Sequence, residues 1–341
     1  MSTIKPFYFP TTVTFIDDSP TFLSNLCLQL DPQLAFQLFS SPVEALRSVN
    51  DSPRPSSPSE PIFAPFRDRT DEDVAQQVIS LSVNTVRNQV YNAQRFRATS
   101  VVVVDYDMPG MNGLEFCRRM TDPAVRKIML TGKADEHIAV QSFNEGIIHR
   151  FIRKQDVSAI TSLNRAVRDM QGAYFDNVCQ SIVDTLALSE YAFLCDEVLA
   201  ERVAELSSSL GIVEHYISYC PGGLLMLDSK GAAYLLIIHT PETLRGVREI
   251  AVEQDAPAAF LAALDSGSSL PYFWQTEGNF PAQCPAWEDY MYPAKSLSGR
   301  QNYVYAVIPN PPGLQLERVQ SYDSYLEKLD RDQETAGSSR S

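Results

Sequence analysis

The chain has 341 residues, with 28 basic and 42 acidic side chains and a formal net charge of −14. That length accommodates two domains. No apolar run approaches the roughly 18 residues of a membrane-spanning helix, and Met1 to Pro10 lacks the layout of a signal peptide, so a cytoplasmic protein is expected.

The charge is unevenly placed. Residues 1 to 174 carry 18 basic and 19 acidic side chains, and residues 175 to 341 carry 10 and 23. An acidic second half is a poor match to a phosphate backbone and argues against DNA as a partner. The six cysteines (27, 117, 179, 195, 220 and 284) form no CxxC pair. They read as small buried apolar residues rather than as a disulfide framework or zinc site.

In chain order, the first half alternates strand and helix. Thr12 to Asp17 is a short apolar strand ending in two aspartates, and Pro20 to Leu30 follows with helical spacing. Leu34 to Phe39 reads as a strand, and Pro42 to Val49 as a helix capped by Ser41. Asp51 to Pro65 is a Pro/Ser-rich loop. Asp71 to Phe96 is predicted as an inserted helix, because Ile79, Val83, Val86 and Val90 line one face. Val101 to Asp105, four valines and an aspartate, has the composition of a buried parallel strand. Gly113 to Met120 is predicted helical, Lys127 to Leu130 strand, Asp135 to Glu145 helical, and His149 to Arg153 strand. Such alternation predicts a doubly wound five-stranded parallel sheet, an α/β fold with ligands outside the carboxyl ends of its strands.

A connecting helix is predicted over 157–189, with Gly172 as a place where it bends or breaks. The second domain, 190–329, is predicted as α+β with a small antiparallel sheet. Ala192 to Leu210 reads as helix, and Ile212 to Tyr219, Leu224 to Leu227 and Ala233 to His239 as strands, with a hairpin turn at Asp228 to Gly231. Pro241 to Val252 and Pro257 to Leu264 read as helices, and Tyr272 to Trp274 and Tyr303 to Ile308 as later strands. The tail, 330–341, is polar and predicted disordered.

Four features fall at strand ends of the first domain: Asp17 with Asp18, then Asp105, Thr131 and Lys154. A parallel sheet brings such ends to one edge. Clustered carboxylates make a hard oxygen site suited to Mg²⁺, and they need a cation because like charges repel. One carboxylate can attack a phosphoryl group. A lysine and a metal can then offset charge on the phosphoryl oxygens, with a threonine hydroxyl bonding one of them.

These residues resemble the CheY-like receiver family. The resemblance rests on Asp17-Asp18, on Asp105-Tyr106-Asp107-Met108-Pro109-Gly110-Met111-Asn112-Gly113, on Leu130-Thr131-Gly132 and on Phe151-Ile152-Arg153-Lys154. It covers residues 11–170, apart from the 51–98 insertion. The family implies Asp105 as phosphoacceptor, with Thr131 and Lys154 as phosphoryl contacts. It implies Asp18, Asp105 and the backbone carbonyl of Asp107 as Mg²⁺ ligands, Asp17 acting through water. It also implies Thr131 and Phe151 as a switch pair shifting between two packings. Two departures stand out: Gln155 replaces the family's usual proline after the lysine, and the insertion places Asp105 far along the chain.

The layout as a whole is similar to that of the LqsR- and PhcR-type response regulators of α-hydroxyketone quorum sensing. That resemblance implies a sensor histidine kinase or phosphotransfer protein as phosphodonor, and a homodimer on phosphorylation. The second domain carries no recognised output motif. Pro221-Gly222-Gly223 reads as a turn, and His215 and His239 as structural strand histidines. An output that binds an unknown downstream protein is expected. The alternative is one that binds nucleotide or nucleic acid, or is an enzyme.

Overall fold

The computed structural model describes residues 3–55, 61–66, 78–132 and 136–338. Within these, the chain divides into two compact units: 10–55, 93–132, 136–178 and 325–338 form one, and 3–9, 61–66, 78–92 and 179–324 form the other. The units are interleaved along the sequence, where consecutive domains were expected.

The elements run in this order. Strand β1 (Phe7–Tyr8) precedes β2 (Thr12–Ile16), α1 (Pro20–Cys27), β3 (Phe36–Phe39) and α2 (Pro42–Asn50). Then come β4 (Phe63–Phe66), β5 (Val78–Leu81), α3 (Val83–Arg87), β6 (Thr99–Asp105), α4 (Gly113–Arg119), β7 (Arg126–Thr131), α5 (Glu136–Asn144) and β8 (Arg150–Arg153). After α6 (Ala159–Leu186) follow α7 (Glu197–Leu210), β9 (Ile212–Ser218), β10 (Gly223–Asp228), β11 (Ala233–His239), α8 (Pro241–Glu253) and α9 (Ala258–Asp265). The last are β12 (Ser269–Pro271), β13 (Met291–Ser298), β14 (Asn302–Pro309) and α10 (Tyr322–Ser338).

The first unit holds the expected five-stranded parallel sheet, in the order β3-β2-β6-β7-β8. All seven residues of β6 are buried, as a central strand covered on both faces requires. Val13, Phe15, Val101, Val103, Ile128, Leu130 and Ile152 share one core with Leu23 and Leu26 of α1 and Leu163, Ala166 and Val167 of α6. Alternation sends the buried Val102, Val104 and Met129 to the other face. Each such side chain contributes about 1.5–3 kcal/mol over its exposed state. Ser41 caps α2 as expected, its hydroxyl accepting from the Glu44 N–H at 3.4 Å. Helix α6 runs 28 residues with Gly172 inside it unbroken.

The second unit holds a seven-stranded antiparallel sheet, β1-β9-β10-β11-β14-β13-β12, larger than the small sheet expected. Three of its strands went unread. β1 is two residues long, β12 lies just before the predicted Tyr272 to Trp274, and β13 (Met291–Ser298) mixes Pro, Ala, Ser and Lys, which carry little β signal. The predicted helix from Ala192 is split: a 3₁₀ turn spans Ala192–Cys195, and α7 starts after Asp196, whose side chain caps it.

The inserted helix over Asp71 to Phe96 is corrected. Residues 71–77 lie outside the described residues. Val78–Leu81 pairs with Phe63–Phe66 as an antiparallel pair, and among the described residues the helical parts are the five residues of α3 and 3₁₀ turns at Asn88–Tyr91 and Arg95–Arg97. The apolar spacing is met by short helical pieces in which Val86 and Val90 are fully buried. The tail is corrected as well. Helix α10 continues to Ser338, anchored by the buried Tyr322, Tyr325 and Leu329, and residues 339–341 lie outside the described residues. The six cysteines are free, but only Cys117 and Cys179 are buried; the other four are half-buried. No helix among the described residues is long and apolar enough to cross a membrane.

Candidate functional site

Strand register builds the site. Ile16 pairs with Val104, so the next residue of each chain segment sets Asp17 beside Asp105. Asp105 pairs with Leu130, and Thr131 with Arg153, so Thr131 and Lys154 follow at the same carboxyl edge. The Lys154 N–H donates to the Thr131 carbonyl at 3.0 Å and the Tyr106 N–H to the Leu130 carbonyl at 3.1 Å, which extends the pairing past the last regular residues.

The side chains converge as that register requires. Lys154 Nζ lies 2.6 Å from the Asp17 carboxylate and 2.7 Å from that of Asp105. Carboxylate oxygens of Asp17, Asp18 and Asp105 all lie within 4.8 Å of one another, Asp17 and Asp105 buried and Asp18 exposed. Burial pushes the Asp105 carboxyl above its ordinary value and the charge of Asp17 adds to that, against the lowering pull of Lys154 and the Tyr106 N–H. Burial alone would lower Lys154; hydrogen bonds to Asp105 and Asp17 outweigh it, and the net direction is upward. The lysine is therefore a fixed cation between two carboxylates.

Thr131 is fully buried, and its hydroxyl has no hydrogen-bond partner among the described residues. Buried hydroxyls are usually hydrogen-bonded, so this one departs from the rule. Phe151 is half-buried on β8, paired in register with Met129. Asp107 is exposed in the loop after β6, which the buried Met108 and Met111 anchor. That loop closes tightly: the Gly113 N–H donates to the Tyr106 carbonyl at 2.9 Å. A Cβ on Gly113 would sit 2.3 Å from the Asp105 carbonyl oxygen, so only glycine fits.

Two contributors escaped the sequence reading. Ser19 joins the site to α1: its N–H donates to Asp17 Oδ1 at 3.0 Å, and its hydroxyl accepts from the Phe22 N–H at 3.2 Å. Ser-Pro after the aspartate pair was a readable cap signal. Phe22 places its ring centroid 4.8 Å from Lys154 Nζ, and no local pattern announces that contact. The Lys154–Gln155 bond is trans, the one cis peptide among the described residues being Cys220–Pro221.

In the second unit, both strand histidines are hydrogen-bonded within the protein. His215 Nε2 meets the Lys5 carbonyl at 3.0 Å, and His239 Nδ1 meets the Thr243 hydroxyl at 3.2 Å. Burial lowers both imidazoles to about 4, with the charge of Lys5 also lowering His215. Pro221-Gly222-Gly223 is the turn into β10, and Gly223 is required there because its Cβ would strike the Leu236 carbonyl.

The comparisons agree with the geometry. The response regulator receiver domain family matches residues 72–164. None of the curated proteins matches the chain. Among solved structures, the Legionella pneumophila response regulator LqsR is 34% identical, with a TM-score of 0.78, over 97% of this chain and 98% of that one. Lesser likenesses include a response regulator receiver domain protein from Clostridium thermocellum, 19% identical over 48% of this chain and 94% of that one, TM-score 0.31. An adenylate cyclase from Rhodopirellula baltica is 23% identical over 53% of this chain and 99% of that one, TM-score 0.34. Neither of these two scores reaches the level of a shared overall fold. The likeness to LqsR runs the length of both chains and so includes the antiparallel unit. The chain belongs to the response regulator family, a signalling protein with a two-component receiver domain and a second, antiparallel-sheet unit.

Proposed function

We propose that Asp105 accepts a phosphoryl group from the phosphohistidine of a sensor histidine kinase or phosphotransfer protein, and that this switches the second unit's output. The observation that carries the reading is the buried Asp105 carboxylate, ion-paired to Lys154 beside Asp17 and Asp18. The orphan Thr131 hydroxyl at the same edge supports it.

A carboxylate oxygen of Asp105 attacks phosphorus as the P–N bond to the donor imidazole breaks, and the electron pair stays on the imidazole. Lys154 pairs with one phosphoryl oxygen and Thr131 donates its hydroxyl to another. The donor set is all oxygen, which fits Mg²⁺. Asp18, Asp105 and the Asp107 carbonyl would hold it directly and Asp17 through water. Bound there, the ion would neutralise charge on the phosphoryl oxygens. Thr131 moving toward the phosphoryl group leaves space that the Phe151 ring fills, which shifts the population between two packings. In this reading the protein acts in the cytoplasm, the shift favours a homodimer, and the acidic output binds a downstream protein. The full-length likeness to LqsR supports a place in α-hydroxyketone quorum sensing, as expected from the sequence.

Incubation with acetyl phosphate and Mg²⁺, followed by intact mass measurement, tests the reading. The expected result is a gain of one phosphate that Asp105→Asn abolishes. No gain, or a gain that survives the substitution, overturns it. Solution mass with and without a phosphoryl mimic tests the homodimer, which identical masses would exclude.

A further inference from the structure

We infer that Phe22 is a positioning residue for Lys154, its ring face holding the ammonium beside Asp105. The inference rests on the reading of Asp105 as phosphoacceptor. Lys154 stands at the end of β8, and the chain beyond it gives little support: Gln155 to Ser158 are all exposed, and Gln155 lacks the ring that would stiffen the bond after the lysine. The ammonium is held by Asp17, Asp105 and the face of Phe22.

Those three contacts differ in kind. The two carboxylates are the groups that a metal and a phosphoryl group would engage, so their hold on Lys154 changes when the site is used. The ring carries no charge and takes no ligand. Its attraction for the ammonium therefore persists in every state and keeps Lys154 close to Asp105 as its other partners are drawn away. The ring is itself fixed, since Phe22 lies in the first turn of α1 behind the Ser19 cap and packs against the core shared by β2, β6 and α6.

Phe22→Leu keeps apolar bulk and removes the π face, whereas Phe22→Tyr keeps the face. With acetyl phosphate and Mg²⁺, Phe22→Leu is expected to take up phosphate about five- to tenfold more slowly than the parent, and Phe22→Tyr within about twofold of it. Without metal or phosphodonor, the Lys154 ε-methylene protons are expected to show an upfield ring-current shift that Phe22→Tyr keeps and Phe22→Leu loses. Thermal midpoints show whether Leu is tolerated, and Phe22→Met is a second apolar replacement if it is not. A parent protein that takes up no phosphate overturns the phosphoacceptor reading. A phosphorylated parent matched in rate by the Leu or Met variant, or one with no ring-current shift, overturns only the role of Phe22.

Discussion

The ammonium of Lys154 lies 2.7 Å from the carboxylate of Asp105, reached from the neighbour-but-one strand of the same sheet edge. With Asp17 also at 2.6 Å, one half-buried cation bridges two buried acids. Without the lysine, the three carboxylates would have no ion-pair partner among the described residues.

Lys154→Met is therefore expected to destabilise the protein in chelator at neutral pH by about 2 kcal/mol, between the values for exposed and fully buried pairs. Added Mg²⁺ should then raise the thermal midpoint more in the variant than in the parent, because carboxylates lacking their lysine gain more from a bound cation. Denaturation with and without Mg²⁺ checks both, and equal Mg²⁺ effects in the two proteins would contradict the account.

Two glycines should respond oppositely to the same change. Gly113→Ala puts a Cβ against the Asp105 carbonyl at 2.3 Å, so a loss of about 1–3 kcal/mol is expected, together with slower phosphate uptake as the backbone of Asp105 shifts. Gly172→Ala lies within α6 with nothing within 4 Å of the new Cβ. A gain of about 0.5–1 kcal/mol is expected there. Chemical denaturation of the two variants separates them.

Asp196 is expected to contribute acid-sensitive stability to the second unit. Its buried carboxylate accepts from the Val198 and Leu199 N–H groups at the start of α7, from the Arg300 N–H at 2.6 Å, and from the Tyr303 hydroxyl at 2.9 Å. Burial would raise its carboxyl, but these donors outweigh burial and hold it below the ordinary value. A lowered folded value means the carboxylate's contribution is complete above the unfolded carboxylate range and is lost as pH falls through the folded value. Asp196→Ala is expected to cost about 2–3 kcal/mol at neutral pH, with the gap to the parent closing in acid. Urea midpoints across pH 7 to 3 check it; a gap that is constant with pH would refute the charge-based explanation.

The site was legible because its chemistry falls where local pattern is strongest. A run of valines marks a buried central strand, and Asp105 ends it. Thr131 ends β7, and Asp17 and Lys154 follow β2 and β8 of the same parallel sheet, so alternation of strand and helix sufficed to bring them together. Strand direction and the side-chain period of two fix that edge without any knowledge of packing.

Tertiary structure decided the rest, wherever the deciding contact is distant in sequence. β1 is a two-residue strand that exists only because β9 offers Tyr216 and His215 to pair with Phe7 and Tyr8. β13 has weak propensity and is held by β14 and β12 on its two sides. The valine spacing around Val86 reads as one long helix, yet antiparallel pairing and burial turn it into a strand and short helical pieces. Phe22 meets Lys154 only once β2 and β8 share a sheet. The sequence by itself determined which groups gather at the parallel sheet's edge, through propensities and periods that act over a few residues. The partners of weak strands and the ring beside the lysine needed non-local pairing, whose energy belongs to two segments at once and is written in neither.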